Sequence, residues 1–449
     1  YIRNGGRDAG VRDELLKRGK ELQWSPTHMQ ARYENWVTGL NGDWLISRQR
    51  FFGVPIPLWY RLDASGEPLY DEPLVPAESL LPIDPSSDVP EGFTEDQRGV
   101  PGGFAGDADV MDTWATSSLT PQIAGRWEDD PDLFGRIYPM DLRPQGPEII
   151  RTWLFSTVVR AHLEDDVLPW RETTINGWVL DPDRKKMSKS KGNVVTPLPL
   201  LEEYGSDAIR YWACSGRPGT DTAVDFAQMK VGRKLATKLL NASKFVLGFP
   251  SAAEGDVTEA ADLAMLAQLA DVVGSATEAF EAYDYARALE RTEAFFWTFC
   301  DDYIELVKSR AYSEGPAADS ANRALRIALD AQLRLLAPFL AYAAEEVWSW
   351  WQEGSVHRAA WPALAAGAGD PAVLTAAGEV LAQVRKAKSN AKTSMKTPVT
   401  SLVVTDSPER LALVSLAQAD LVNAGVVEAI TLVEGAPSIE VTLGEAPPK

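Results

Sequence analysis

Cysteine is nearly absent: the 449-residue chain has two, Cys214 and Cys300. Two thiols cannot build a four-thiolate zinc site, and they exclude a disulfide framework. A reducing, cytoplasmic setting is the simplest reading. Both fall in helical stretches and read as core residues. Histidine is almost as rare, with three residues, His28, His162 and His357. None has a metal-like neighbour pattern or a triad spacing, so structural or surface roles are expected and no tightly bound metal. No run approaches the ~20 apolar residues of a membrane span, so no membrane partner is expected. The opening residues, Tyr1-Ile2-Arg3-Asn4-Gly5-Gly6, lack an apolar signal core and an initiator Met. A processed chain or a fragment is therefore expected. Repeats and low-complexity tracts are lacking too.

Positive charge is in deficit: 44 basic against 64 acidic residues give a net charge of −20. Taken alone, that argues against a nucleic-acid partner, because phosphate binding needs basic groups that release counterions. Net charge speaks to solubility and steering, however, and not to any one surface. Residues 51–147 hold 5 basic and 18 acidic groups, and 251–449 hold 15 and 28. The remainder of the first 250 residues is net positive, so basic stretches survive.

The hydrophobic pattern changes along the chain. Residues 61–108 are rich in Pro, Gly and Asp and predict an irregular insertion with short strands at most. Apolar spacing over 147–163 predicts a helix with Pro147 in its first turn. The β-branched run TTINGWVLD predicts a strand ending in a turn, and 198–213 a further helix. This alternation implies an α/β layer. Long amphipathic segments at 226–247, 257–283, 284–312 and 318–352 predict an antiparallel helix bundle. A helix at about 371–390, a strand at SLVVTD and another at SIEVTLGE predict a small α/β appendage.

The sharpest local feature is Arg184-Lys185-Lys186-Met187-Ser188-Lys189-Ser190-Lys191-Gly192-Asn193. Five cations within eight residues, with two interleaved hydroxyls, suit the oxygens of a polyphosphate. Such contacts help most when charge shifts onto a departing pyrophosphate. A solvated basic loop is the plainer alternative. Two further acid-free runs stand out: Lys230, Arg233, Lys234, Lys238 and Lys244, and then Arg385, Lys386, Lys388, Lys392 and Lys396. Lys230, Lys234 and Lys238 are four apart and share one helix face. Either run could be a solvated face.

The KMSKS text resembles the second signature of class I aminoacyl-tRNA synthetases. The resemblance extends to DWLISRQRFFGVPIP at 43–57, ADVMDTWATSSLTP at 108–121 and RPQGPEIIRTW at 143–153. Downstream, FFWTFCDDYIELVK at 295–308, LLAPFLAYAAEEVW at 335–348 and SVHRAAWP at 355–362 resemble the helical anticodon-binding domain. The set covers about 1–365 and is similar to class Ia enzymes, favouring the valyl type in archaeal-type wording. No sustained heptad follows residue 400, so a C-terminal coiled-coil arm is not expected.

The resemblance implies a multidomain chain. It has a partial α/β Rossmann-like catalytic half with an irregular insertion, an α-helical anticodon-binding bundle and a small α/β C-terminal appendage. The expected boundaries are 1–60 (end of an editing insertion and return to the catalytic domain), 61–108 (acidic insertion) and 109–205 (second catalytic half with the KMSKS loop). A connecting helical region at 206–255, the anticodon-binding domain at 256–365 and the appendage at 366–449 follow. The activity implied is ATP-dependent activation of valine and its transfer to tRNA(Val). ATP would arrive with Mg2+ as a substrate complex.

By the same resemblance, Trp114, Ile149 and Trp153 enclose the valine side chain, and Glu148 receives its ammonium. Ile149 and Trp153, four apart, would share a helix face. Asn176 and Gly177 would approach the adenosine, Gly177 because it lacks a β-carbon; a strand-end turn is the alternative. Lys186 and Lys189 would be the catalytic lysines, with Met187, Ser188 and Ser190 completing the ATP-binding loop. Lys230, Lys234 and Lys238 would face the tRNA. The HIGH signature and the editing pocket are absent from these 449 residues. The chain is thus expected to be about the C-terminal half of a monomeric enzyme, inactive without its N-terminal half. The rival readings are an isoleucyl-type sister and a non-catalytic tRNA-binding fragment.

Overall fold

A computed structural model describes residues 1–250, 255–364 and 369–446. The chain divides into two compact units, Tyr1–Trp178 with Pro218–Asp221, and Val179–Arg217 with Thr222–Lys449. The division falls within the stretch 109–205 expected as one catalytic segment.

The first unit is built on a three-stranded sheet in the order Gln23–Ser25, Trp170–Ile175, Met140–Gln145. Both pairings are parallel. Parallel strands need crossover helices that cover the sheet, and Ala9–Glu21, Gln30–Thr38 and Phe155–Asp165 are the helices of this unit that pack together. Leu15, Tyr33, Leu154, Trp170 and Ile175 are fully buried at the centre. Asp8 starts the first of these helices by accepting from the amides of Gly10 and Val11, which satisfies donors that have no partner within the helix.

The acidic insertion is more ordered than its composition predicts. Trp59–Leu62 pairs antiparallel with both Pro68–Leu74 and Phe104–Gly106. Trp59, Leu62 and Phe104 are buried, and Phe104 meets Phe93 edge-on at 5.4 Å between ring centres, with Arg98 over its ring. The turns between these strands use Gly66, Gly99 and Gly102 at positive φ.

The second unit opens with a short parallel pair, Val179–Leu180 with Thr222–Ala223. Helices follow at Pro197–Tyr204, Ser206–Cys214, Phe226–Leu247, Ala260–Glu281, Tyr285–Thr298, Ile304–Ala311, Pro316–Leu336, Ala341–Ser349 and Pro371–Asn390. The expected helix over 198–213 is broken at Gly205, whose φ is +86°. The segment expected as 318–352 breaks near Pro338, which cannot donate to a continuing helix. Within 284–312 the helix continues through a wider turn at Phe299–Tyr303.

The C-terminal segment holds a three-stranded sheet with Val399–Asp406 between Ile430–Glu434, parallel, and Ser438–Leu443, antiparallel. Helices Pro408–Leu416 and Gln418–Gly425 and the strand Ile430–Glu434 were not read from the sequence. This segment is continuous with the bundle: one buried cluster runs from Tyr211 through Phe296 and Leu336 to Val404 and Val427. No helix among the described residues is long and apolar enough to cross a membrane.

Candidate functional site

In the first unit, the residues expected to hold an amino acid lie on a short helix and on the stretch 147–154. Trp114 is in the short helix Thr113–Ser117. Asp112 starts that helix by accepting from the Trp114 amide, and its other oxygen accepts from Trp44 Nε1 at 2.9 Å and Arg48 Nη2 at 2.7 Å. Arg48, given no role from sequence, thus fixes the start of the Trp114 helix through a carboxylate that is 5 % exposed.

Ile149 and Trp153 depart from the expected helix face. Pro147–Ile149 is a 3-10 turn and Ile150–Leu154 a π turn, with the α-helix starting only at Phe155. A π turn has more residues per turn than an α-helix, so spacing of four no longer stacks side chains. Such turns occur often at functional sites. Trp153 is oriented instead by hydrogen bonds: its Nε1 donates to the Ser117 carbonyl at 3.0 Å and to Thr120 Oγ1 at 3.3 Å. Arg160 ties the same elements together, donating to Ser118 Oγ at 2.7 Å. The helix bearing Trp114 and the turn bearing Trp153 are therefore held side by side, and both indoles are half-buried.

Glu148 is exposed at the start of this segment. Its Oε2 accepts from Trp178 Nε1 at 2.9 Å, and the carboxylate folds over Gly146, where an added β-carbon would meet it at 2.6 Å. Sequence reasoning missed Trp178, although it directly follows Asn176-Gly177. The Asn176 amide donates to the Gln145 carbonyl, and its side chain is exposed. At Gly177 the close approach is made by the chain itself: a β-carbon would lie 1.9 Å from the Thr220 carbonyl oxygen. The glycine is thus required by Thr220–Asp221, and the Trp178 amide donates to Asp221 at 2.9 Å.

Behind Trp153 lies Arg143, another residue the sequence did not single out. It is 6 % exposed, and burial pushes its guanidinium pKa down to about 9.

In the second unit, the KMSKS loop has a fixed backbone and outward side chains. Asp181 accepts from the Lys185 amide at 2.7 Å and from Asn193 Nδ2 at 2.8 Å. Asn193 Oδ1 accepts from the Ser188 amide at 3.0 Å, and its Nδ2 also reaches the Lys186 carbonyl. Met187 turns inward, where its sulfur accepts from the Val195 amide. Gly192 supplies a left-handed turn at φ +66°. The amide bond from Lys185 and the side chain of Asn193 hold the Asp181 carboxyl below the usual carboxylate range. Lys186, Lys189 and Ser190 are exposed, and Ser188 Oγ lies 3.3 Å from Ser190 Oγ. Asp181 and Asn193 are the brace, and neither was proposed as a site residue.

Lys230, Lys234 and Lys238 share one face of Phe226–Leu247, as their spacing predicts. With Glu203, Tyr204, Arg233, Thr237 and Asn241 they line an open groove of about 520 Å³. Lys234 and Lys238 stand 5.5 and 5.7 Å from the Trp297 ring centre, and Lys238 also pairs with Asp301 at 3.0 Å. The second basic run is split: Lys386, Lys392 and Lys396 are exposed, and the other two residues turn to the protein. Lys388 is 1 % exposed, donating to the Met395 and Gly425 carbonyls, and Arg385 reaches the Asp301 carbonyl.

No group of three or more metal-ligating side chains occurs among the described residues. His162 contacts Arg18 and Asp166, and His357 the Ala341 carbonyl. Burial raises both cysteine thiols, Cys300 to about 12.

Residues 6–225 match the family model of class I tRNA synthetases (I, L, M and V), and 262–404 that of the anticodon-binding domain of tRNA ligases. The chain belongs to the class I tRNA synthetases. Among solved structures, it is similar to the ternary complex of Agrobacterium radiobacter LeuRS with tRNA and LeuAMS. That likeness has a TM-score of 0.56 and 19 % identity, covering 90 % of this chain and 52 % of the other. Mycobacterium tuberculosis methionyl-tRNA synthetase with methionyl-adenylate gives a TM-score of 0.53 and 20 % identity, covering 75 % and 60 %. At these identities the likeness is one of fold.

The sequence relatives narrow the family. Valine–tRNA ligase of Thermobifida fusca is 66 % identical over 90 % of this chain and 47 % of its own length. That of Salinispora arenicola is 57 % identical over 99 % and 55 %, and that of Cutibacterium acnes 55 % over 100 % and 53 %. The chain thus spans about half the length of the curated relatives it matches. These relatives carry valine, not isoleucine, in their names.

Proposed function

We propose that this chain is part of a cytoplasmic, monomeric valine–tRNA ligase, supplying one side of the valine pocket, the KMSKS loop and the tRNA-binding helices. The observation that carries the reading is the built wall in the first unit. Trp114 and Trp153 stand on elements tied by Trp153–Ser117 and Arg160–Ser118 hydrogen bonds, with Glu148 poised by Trp178. Rigid half-buried indoles limit the size of a side chain between them. Glu148 is the carboxylate available to receive an α-ammonium group.

In the reaction proposed, the valine carboxylate attacks the α-phosphorus of ATP, which is bound with its Mg2+. Valyl-adenylate forms and pyrophosphate departs; the tRNA(Val) 3′-terminal hydroxyl then takes the valyl group and AMP leaves. Lys186 and Lys189 act where negative charge gathers on the departing phosphates. They are carried on a loop whose backbone Asp181 and Asn193 hold in place, so little ordering is left to do at the moment of reaction. Asn176 and Gly177 remain candidates for the adenosine side, with Gly177 packed on Thr220.

The test is valine-dependent ATP–pyrophosphate exchange, run on this chain and on a protein of the relatives' full length that contains it. Exchange is expected only in the longer protein, lost on Lys189→Ala, and selective for valine over isoleucine. Exchange by this chain alone at near-enzyme rates refutes the need for an N-terminal half, and preference for isoleucine refutes the valyl assignment.

A further inference from the structure

Arg143 is a buried cation in the first unit that the proposed reaction does not use. It sits in the strand Met140–Gln145, with its main chain fixed by parallel pairing to Thr173 and by the Thr173 hydroxyl donating to its carbonyl at 2.8 Å. Its side chain is enclosed. No salt bridge to it occurs among the described residues, and its Nε and Nη2 have no hydrogen-bond partner there. A buried cation without a carboxylate is costly unless something else offers it negative potential. Two aromatic faces do. The guanidinium lies directly over the Trp153 ring, and its carbon is 4.8 Å from the ring centre of Trp170. A planar guanidinium stacks on such faces in a way that an ammonium does not.

We propose that Arg143 is a positioning residue for Trp153: its guanidinium, caught between two indoles, fixes the tilt of the Trp153 ring and so the size of side chain the pocket admits. This rests on Trp153 being a wall of the valine pocket. Trp153 is constrained twice. Its edge is tethered through Nε1 to Ser117 and Thr120, and its face is occupied by the cation. An edge tether alone leaves rotation about that edge, and swinging the ring away would strip the cation of its closest partner. The two constraints together define a plane. Since Trp153 stands in a π turn rather than a regular helix, neighbouring backbone does not dictate that plane by itself.

The test has two arms. In a full-length enzyme containing this chain, Arg143→Met is expected to raise the KM for valine about tenfold, with kcat changed by less than about twofold. The valine-over-isoleucine ratio of kcat/KM should fall about tenfold, on the order of what one methylene is worth in such a pocket. Arg143→Lys should fall between wild type and Arg143→Met, since it keeps the charge and loses the plane. In the second arm, the chain itself is labelled with 5-fluorotryptophan, and the Trp153 and Trp170 resonances are assigned through Trp153→Phe and Trp170→Phe. Arg143→Met should move those two signals and leave the others. If Arg143→Met does not fold, Arg143→Lys and Thr120→Val, which removes half of the edge tether, carry the same two readouts. An unmoved Trp153 signal with unchanged discrimination overturns the proposal. Trp153→Ala separates it from the pocket reading. If Trp153→Ala leaves the valine KM unchanged, Trp153 is not a wall and both fail; if it raises the KM while the Arg143 variants do not, only the positioning role fails.

Discussion

Removing the Arg310 guanidinium should cost the second unit about 4 kcal/mol, the middle of the range for breaking a buried ion pair from one side. Arg310 donates to both oxygens of Asp262 at 2.8 Å, to both of Asp420 at 2.9 and 3.0 Å, and to the Ala317 carbonyl at 2.8 Å. Burial works against its charge, but these bonds raise its pKa above the ordinary arginine value. Asp262 is fully buried and also accepts from Tyr303 and Ser320. Two charges about 4 Å apart attract by about 4 kcal/mol at an effective dielectric constant near 20. Desolvation of the three groups offsets much of that sum. Arg310→Met leaves two buried carboxylates facing each other, so the loss is the uncompensated charge and not the net worth of the network. Urea denaturation of Arg310→Met, followed by circular dichroism and fluorescence, measures it. Asp420→Asn should cost less, about 1–2 kcal/mol, since a neutral amide still accepts one bond. Its hydrogen exchange should rise first over Gln418–Gly425, the helix that Asp420 anchors. A loss below about 1 kcal/mol for Arg310→Met would refute the reasoning, because it would mean water reaches the carboxylates.

Other expectations follow from the site. Asp181 keeps its carboxyl below the usual range, so its contribution is present at neutral pH and lost as pH falls through that lowered value, below about 4. Asp181→Asn should therefore loosen the KMSKS loop at pH 7, read as faster proteolysis between Lys185 and Lys191, and a wild-type rate at pH 7 counts against the brace. Trp178→Phe removes the donor to Glu148 and should raise the valine KM about fivefold with kcat little changed, a loss of about 1 kcal/mol; no change in KM would detach Trp178 from the site. Lys230→Glu with Lys234→Glu should weaken tRNA binding and lower its salt slope by about one for each phosphate left without its lysine. An unaltered slope would remove the groove from the tRNA surface. Cys300, raised to about 12, should stay unreactive to thiol reagents at pH 8 in the folded chain and react on unfolding.

What the sequence made legible was whatever depends on near neighbours. The helix expected at about 371–390 runs Pro371–Asn390, started by Asp370, which accepts from the Ala372 amide. The KMSKS run reads as chemistry from its own residues, whereas the indoles at 114 and 153 are singled out by the family resemblance; both indoles stand on adjoining elements of one unit. What escaped was set by partners far along the chain. Arg143 meets Trp170 across a strand pair, and Trp178 reaches back to residue 148. The π turn at Ile150–Leu154 escaped because a run of apolar residues reads as one regular helix, whether or not a turn is widened. In the acidic insertion short strands at most are expected; their pairing into a three-stranded sheet is not legible, because the composition is that of loops.

The basic helix shows why net charge and linear charge runs both mislead at a surface. Along the chain, Lys230 to Lys244 contains no acid, yet in space Lys238 pairs with Asp301 and the groove includes Glu203. Lys234 and Lys238 lean toward the Trp297 ring, which holds a cation weakly enough to release it to a stronger acceptor. A groove in which part of the charge is already satisfied gives up affinity for any phosphate chain and leaves discrimination to shape. Asp301→Asn should therefore tighten binding of unrelated RNA more than of the tRNA proposed to bind here. Equal tightening of both would show that the acid only lowers affinity.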